Sequence, residues 1–176
     1  MRKLAFPAIL ATCLAVVLVS GSLAFAKDGD KGNARATLSS YQEVPTLSTA
    51  ATGTFRATVD ASTIRYTLRY QGFDTTVAVA HIHLGARATN GGVSAFLCGG
   101  GGTPACPATA GTVEGVIDAA DVVGPAGQSI APGQFAELVR AMRAGVTYAN
   151  VHSTTFPGGE IRGQIRLGGK GGGKDD

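Results

Sequence analysis

Three histidines occur in the 176-residue chain, and two of them are separated by a single residue. In the segment Ala80-His81-Ile82-His83-Leu84, histidines alternate with apolar residues, a pattern typical of a β-strand. Because successive side chains of a strand point to opposite faces, His81 and His83 share one face, with their Cα atoms about 6.5–7 Å apart. This separation allows both imidazole rings to reach one metal ion.

The third histidine, His152, ends the segment Tyr148-Ala149-Asn150-Val151-His152, whose alternation places it on the polar face of another strand. A third ring from a second strand completes a three-coordinate site with one open position. Imidazole suits zinc, copper and nickel, and export past the thiols of the cytosol is compatible with copper. The sequence therefore predicts a copper or zinc ion bound by His81, His83 and His152.

Four polar side chains are expected on the same strand faces as the histidines: Tyr148, Asn150, Glu160 and Arg162. Neighbours of this kind orient metal-binding rings by donating or accepting hydrogen bonds. A second interpretation stays open, in which the histidines are surface or rim residues hydrogen-bonded to Glu160, Asn150 or backbone carbonyls. Glu160 and Arg162 would then pair with each other on an exposed face.

The strongest structural pattern is a β-hairpin, in which Phe55, Ala57 and Val59 alternate with polar residues before a turn near Asp60. The alternation resumes over residues 64–70. Six further strands are predicted over residues 34–40, 77–84, 93–98, 111–117, 146–153 and 160–167. The expected fold class is all-β, an antiparallel β-sandwich of immunoglobulin-like architecture.

One segment instead has a helical period, with apolar residues at i, i+3, i+4 and i+7, namely Phe135, Leu138, Val139 and Met142. Pro132 lies near its start and Gly145 just past its end, the usual positions for these residues around a helix. We therefore expect one short helix that covers an open end or edge of the sheet.

The N-terminus has the organisation of a secretory signal peptide. Two basic residues precede an apolar run over residues 4–19, and Ala24 and Ala26 are the small residues that a signal peptidase recognises. We expect cleavage near Ala26 and a secreted, periplasmic or cell-envelope location. A retained membrane anchor and an acylated Cys13 are the alternatives.

Removal of residues 1–26 leaves about 150 residues, the size of one domain. Glycine, lysine and aspartate dominate residues 27–33 and 168–176, which predicts flexible tails on either side of a domain at 34–167. The formal net charge of +3 includes two basic residues of the signal peptide, so the mature chain is close to neutral. Nucleic acid is not an expected partner, because no basic patch with interleaved aromatic residues is present. No transmembrane segment is expected in the mature chain.

Two cysteines, Cys98 and Cys106, flank a glycine-rich loop. An even pair in an exported chain favours a disulfide, which would close the loop and reduce its conformational entropy. A two-cysteine metal site is the alternative, but the pair matches no usual zinc spacing. The sequence therefore predicts a disulfide.

Four segments in a fixed order resemble the CHRD domain, which is named after chordin: YQEVP at 41–45, AHIHLG at 80–85, YANVHS at 148–153 and PGGEIRGQ at 157–164. The resemblance covers residues 34–167, and the cysteine-bracketed loop departs from it as an insertion. It implies a β-sandwich module of extracellular proteins without specifying what the module binds.

The pair formed by His81 and His83 is also similar to the His-X-His copper ligands of Cu/Zn superoxide dismutase, which has the same sandwich architecture. Three hypotheses follow. The first is a non-enzymatic metal-binding module with no catalytic residues, and the second is a structural or adhesive module that binds extracellular protein or polysaccharide without metal. The third, a copper redox enzyme of dismutase type, ranks last because such enzymes hold copper with more imidazoles and architecture alone does not imply activity.

Overall fold

The computed structural model describes residues 31–168 of the chain. These residues contain nine strands and one α-helix. The elements are β1 Gly32–Ser39, β2 Thr52–Val59, β3 Ile64–Gln71, β4 Val77–Leu84, β5 Gly92–Cys98, β6 Gly111–Ile117, α1 Phe135–Arg143, β7 Thr147–Ser153, β8 Ile161–Gln164 and β9 Arg166–Gly168. The predicted signal peptide lies outside the described residues, as do most positions of the two predicted tails.

The strands form one antiparallel sheet in the order β5-β4-β7-β8-β1-β2-β3-β6, with β9 beside β1. Apolar side chains from both halves of this order meet in a single core, which includes Phe55 and Leu68 from one half and Ile82 from the other. The two ends of the order also approach each other, since the Tyr66 hydroxyl of β3 donates a hydrogen bond to the Leu97 carbonyl of β5 at 2.7 Å. The predicted all-β, sandwich-like fold with one short helix is therefore confirmed.

The hairpin of β2 and β3 has the predicted alternation, with Phe55 and Val59 buried and Arg56 exposed. Its turn is closed by Asp60, whose carboxylate accepts hydrogen bonds from the backbone N–H groups of Ser62 and Thr63. Short polar side chains that bond the backbone two or three residues ahead favour tight turns.

Both ends of the domain extend slightly beyond the predicted limits. β1 begins at Gly32, so the predicted tail over residues 27–33 is wrong for its last two positions, and β9 continues to Gly168. Asn33 pairs with Thr58 on one side and Gly168 on the other. Backbone hydrogen bonds hold these residues in the sheet, and such bonds need no apolar side chain.

The helix α1 buries the predicted stripe of Phe135, Leu138, Val139 and Met142. It ends at Arg143, and Gly145 two residues later has a φ of +69°, a conformation that glycine adopts without steric cost. The N–H groups of Gly145 and Val146 donate to the carbonyls of Met142 and Ala141 and so satisfy the end of the helix. α1 packs beside β9. Within residues 31–168, no helix has the length and apolar character needed to cross a membrane.

Candidate metal site

The polar faces of β4, β7 and β8 are buried, so the alternative of surface or rim histidines is wrong as to exposure, although two of the rings do bond backbone carbonyls. All seven residues of β7 are buried, including Tyr148, Asn150 and His152. Three connecting segments cover these faces, because Glu43, Gly91 and Pro157 each contact a polar side chain of the site. The strand alternation is as predicted, but the covering loops turn the outer face of these strands into a second, polar interior.

The register between β4 and β7 brings the three histidines together. His83 lies opposite Tyr148 and His81 opposite Asn150, the two residues of β7 that share a face with His152. One nitrogen from each ring lies within 4.8 Å of the others, and all three residues are buried. The three predicted ligands therefore form one cluster.

Backbone carbonyls determine which nitrogen carries the proton in two of the rings. His83 Nδ1 lies 2.9 Å from the Gly91 carbonyl, and His152 Nδ1 lies 3.0 Å from the Pro157 carbonyl. A carbonyl only accepts, so each Nδ1 must be the protonated donor, and the Nε2 of each neutral ring is an acceptor. His83 Nε2 is buried and has no hydrogen-bond partner among the described residues.

The third ring completes the cluster through its Nδ1 atom. His81 Nδ1 lies 3.2 Å from His152 Nε2 and, since the proton of His152 is on Nδ1, donates a hydrogen bond to it in the metal-free protein. Two nitrogens each about 2.0–2.1 Å from one zinc ion have a similar separation when the angle at the ion is near tetrahedral. Two nitrogens bound to one ion lie at most about 4 Å apart. Where two ring nitrogens of the cluster are up to 4.8 Å apart, the rings must therefore move closer together for all three to coordinate the ion.

The rings are held in their neutral form. Burial lowers the pKa of His81 to about 3, with further lowering by His152 and His83. Burial also lowers the pKa of His83 to about 4, partly offset by its hydrogen bond to Gly91, and lowers the pKa of His152. Neutral imidazole is the form that binds a metal ion, so this environment prepares the three rings for coordination at neutral pH.

These pKa values predict that the metal-free protein loses stability in mild acid. Each ring takes up a proton near pH 6.5 in the unfolded chain but only at lower pH in the folded protein. The unfolded state therefore binds more protons, and the free energy of unfolding falls as the pH drops below 6.5, by up to about 1.4 kcal/mol per pH unit for each histidine. Urea unfolding between about pH 5 and 7.5 measures this slope.

The matched control is a variant with all three histidines replaced by asparagine. Since the chain has no other histidine, the difference in slope between the two proteins isolates the site from the carboxyl groups. Equal slopes in the two proteins, or stability that rises toward pH 5, would contradict the neutral, desolvated state of the rings.

Tyr148 packs directly against the cluster. Its ring is stacked on His83 with centroids 4.9 Å apart and an angle of 7° between the planes. The Arg162 guanidinium also lies over the Tyr148 ring, 4.8 Å from its centroid. Arginine stacked on an aromatic ring is held both by cation–π attraction and by planar packing. Tyr148 thus contacts both His83 and Arg162, and all three residues are buried.

Arg162 does not pair with Glu160, so the alternative interpretation of an exposed ion pair between them is wrong. Its guanidinium instead donates to the Gln42 carbonyl at 2.6 Å and to the Thr89 carbonyl at 3.0 Å. The nearest carboxylate is that of Glu43, 4.0 Å away, and both side chains are 5% exposed. Burial raises the pKa of Glu43, and the Asn150 amide and the charge of Arg162 offset part of this rise. The sequence analysis did not identify Glu43 as a site residue, although it lies in the YQEVP segment.

Asn150 and Glu160 do not hold the histidine rings in the way that was predicted. The Asn150 amide donates to Glu43 Oε1 at 2.6 Å and to the Ile161 carbonyl at 2.9 Å. Glu160 is buried, but its carboxylate bonds none of the three rings. The acceptors that orient the rings are the backbone carbonyls of Gly91 and Pro157. Every residue has such a carbonyl, so its role cannot be predicted from residue type.

Comparison with known proteins identifies the domain. The family profile of the CHRD domain matches residues 34–165, well over half of the chain. The chain belongs to the CHRD-domain family. Curated proteins and solved structures give no significant match. CHRD domains are found in extracellular and secreted proteins.

All four segments that carry the resemblance to the CHRD family meet at the histidine cluster. The first contributes Glu43, the second the pair in β4, the third Tyr148 and His152, and the fourth Pro157 and Arg162. More than one hundred residues separate Glu43 from Asn150, yet their side chains are in direct contact. The family pattern of this CHRD domain therefore encodes one buried polar centre.

The glycine-rich loop borders the same centre. Cys98 and Cys106 are joined in the predicted disulfide, with Cα atoms 5.1 Å apart. Phe96, two residues before the disulfide, packs edge-on against His81 with ring centroids 4.6 Å apart. Gly100 and Gly101 also lie against Phe96, so closely that a Cβ atom at either position would overlap its ring. The loop therefore holds Phe96 over His81.

Proposed function

We propose that this CHRD domain is a non-enzymatic module that binds one transition-metal ion, copper first and zinc second, through His81, His83 and His152. We further propose that it is exported after cleavage near Ala26 and acts in the extracytoplasmic space. The observation that carries the metal proposal is the buried, unpartnered Nε2 of His83, which faces the nitrogens of two other neutral rings. A buried acceptor without a partner is costly, and a bound cation would satisfy it.

The chain's own residues prepare this site in three ways. The carbonyls of Gly91 and Pro157 keep the protons of two rings on Nδ1, so that both Nε2 atoms face the cluster. The Arg162–Tyr148 stack and Phe96 hold two rings in place and exclude water. A bound ion would supply Lewis acidity or, for copper, redox capacity at an open coordination position.

Calorimetric titration of the metal-free protein with Cu²⁺ and Zn²⁺ tests the proposal. We expect one ion per chain with a dissociation constant below micromolar, and no such binding by a variant with all three histidines replaced by alanine. A control variant, Asp74→Ala with Glu114→Ala, removes two exposed carboxylates that could bind metal adventitiously, and it should bind as the wild type does. Binding weaker than micromolar, or equal binding by the histidine variant, would refute the metal site.

Nuclear magnetic resonance separates binding at the cluster from binding elsewhere. The chain has three histidines, so every imidazole signal reports on the site. One equivalent of Zn²⁺ should shift the ring nitrogens of all three residues. A superoxide turnover assay on the copper-loaded protein then distinguishes a binding module from a redox enzyme.

A further inference from the structure

The outward face of the other half of the sheet carries a row of arginines. Arg166, Arg35 and Arg56 lie directly opposite one another across β9, β1 and β2. On β3, Thr67 lies opposite Arg56. Arg65 and Arg69 lie two residues before and after Thr67, so they are on the same face as the row. All five side chains are exposed. Adjacent strands lie about 4.8 Å apart, so the row presents closely spaced cations across the strands.

These cations are not neutralised within the described residues. Neither of the two ion pairs between described side chains involves one of the five arginines. Glu114, opposite Thr67 at the edge of the face, and Asp60 in the hairpin turn are the nearby acids. Like charges directly opposite each other in a sheet are destabilising, so this face favours a ligand that supplies several anions.

The face is also shaped to receive a ligand. A depression of about 740 Å³ is lined by Lys31, Arg35, Arg56, Arg65 and Arg166. A second depression of about 430 Å³ adjoins it, sharing three of these arginines and adding Arg87. Together they form an extended cationic groove across the strands, which the sequence analysis missed because its arginines are dispersed over five segments.

We propose that this groove binds a linear acidic polysaccharide. Guanidinium groups bind carboxylate and sulfate oxygens in pairs. Between them lie polar side chains that are able to hydrogen-bond sugar hydroxyls, namely Asn33, Thr37, Thr54, Thr58 and Thr67. The exposed large apolar residues of the described chain are Tyr41, Val116 and Val123, so this face offers no aromatic ring for stacking on bases. A single valine at its edge is too little to insert into a membrane.

Binding of dextran sulfate, with neutral dextran as the matched uncharged polymer, tests the proposal. The variant Arg35→Gln/Arg56→Gln should bind dextran sulfate about tenfold more weakly at low salt, because two charge-assisted contacts are lost. The control Arg140→Gln/Arg143→Gln removes the same net charge from exposed positions on α1 and should change the affinity less than threefold. Neutral dextran should not bind.

Further arms separate this groove from the metal site and from other polyanions. The triple histidine variant should bind dextran sulfate as the wild type does, so failure of the metal proposal leaves this one intact. Equal losses in the two arginine variants would overturn the groove. Tighter binding to single-stranded DNA or to phosphatidylserine vesicles than to dextran sulfate would overturn the assignment to a polysaccharide.

Discussion

His83→Ala is expected to weaken copper or zinc binding by at least about 100-fold, more than the loss of an outer hydrogen-bond partner usually costs. The substitution removes the one cluster nitrogen that is both buried and unpartnered, and it leaves Tyr148 without the ring on which it stacks. Calorimetric titration with Zn²⁺ and Cu²⁺ measures the loss directly.

Two companion variants make this result interpretable. His83→Gln keeps a polar side chain near the Gly91 carbonyl but lacks the imidazole, so it should lose metal affinity as His83→Ala does. Gly127→Ala adds a methyl group at a position with open space around it and should leave affinity and stability unchanged. Binding by His83→Ala within threefold of the wild type would show that His83 is not a ligand.

Arg162→Ala should lower the free energy of unfolding by about 3–5 kcal/mol, the usual cost of removing one partner from a buried charge pair. The arginine is 4% exposed and donates to acceptors in two separate loops, Gln42 in one and Thr89 and Asn90 in the other. Its loss leaves those acceptors and the Glu43 carboxylate without their cation. Urea unfolding at neutral pH measures the change.

Arg166→Ala is the matched control, since this arginine lies four residues further along the chain and is exposed. Its removal should change stability by about 0.5 kcal/mol or less. In the double variant Arg162→Ala/Glu43→Gln, part of the lost stability should return, because the buried carboxylate is replaced by a neutral amide. A loss below about 1 kcal/mol in Arg162→Ala would contradict the role of this arginine as the link between the loops.

Much of the fold could be predicted because two of its signals are local in sequence. These are the alternation of apolar and polar residues and the proline and glycine residues that flank the helix. Phe55, Ala57 and Val59 identify a half-buried strand without reference to the rest of the chain, and the stripe from Phe135 to Met142 identifies a helix. The first and last residues of the domain were less predictable, because Gly32 and Gly168 belong to strands although they lie in the predicted tails. Their place in the sheet depends on neighbouring strands rather than on their own side chains.

The candidate metal ligands could also be predicted. His81 and His83 are two residues apart in a strand and so share a face, and the chain has one further histidine. Their surroundings could not be. Gly91 and Pro157 act through carbonyl groups that every residue possesses, so nothing in their side chains indicates the contact. Glu43 meets Asn150 across 107 positions of sequence, and only the paths of the connecting loops bring them together.

The strand faces, the helix, the disulfide partners and the three clustered histidines could be predicted without the fold, because they follow from short-range periodicity and residue type. Whether each polar face is exposed to solvent or buried depends on the tertiary structure. Loops fold over the face of β4 and β7 and bury it, whereas the outward face of β1, β2 and β3 stays exposed and gathers arginines from separate strands. Burial is a property of what lies above a strand, and desolvation then sets the charge state and chemistry of the residues beneath.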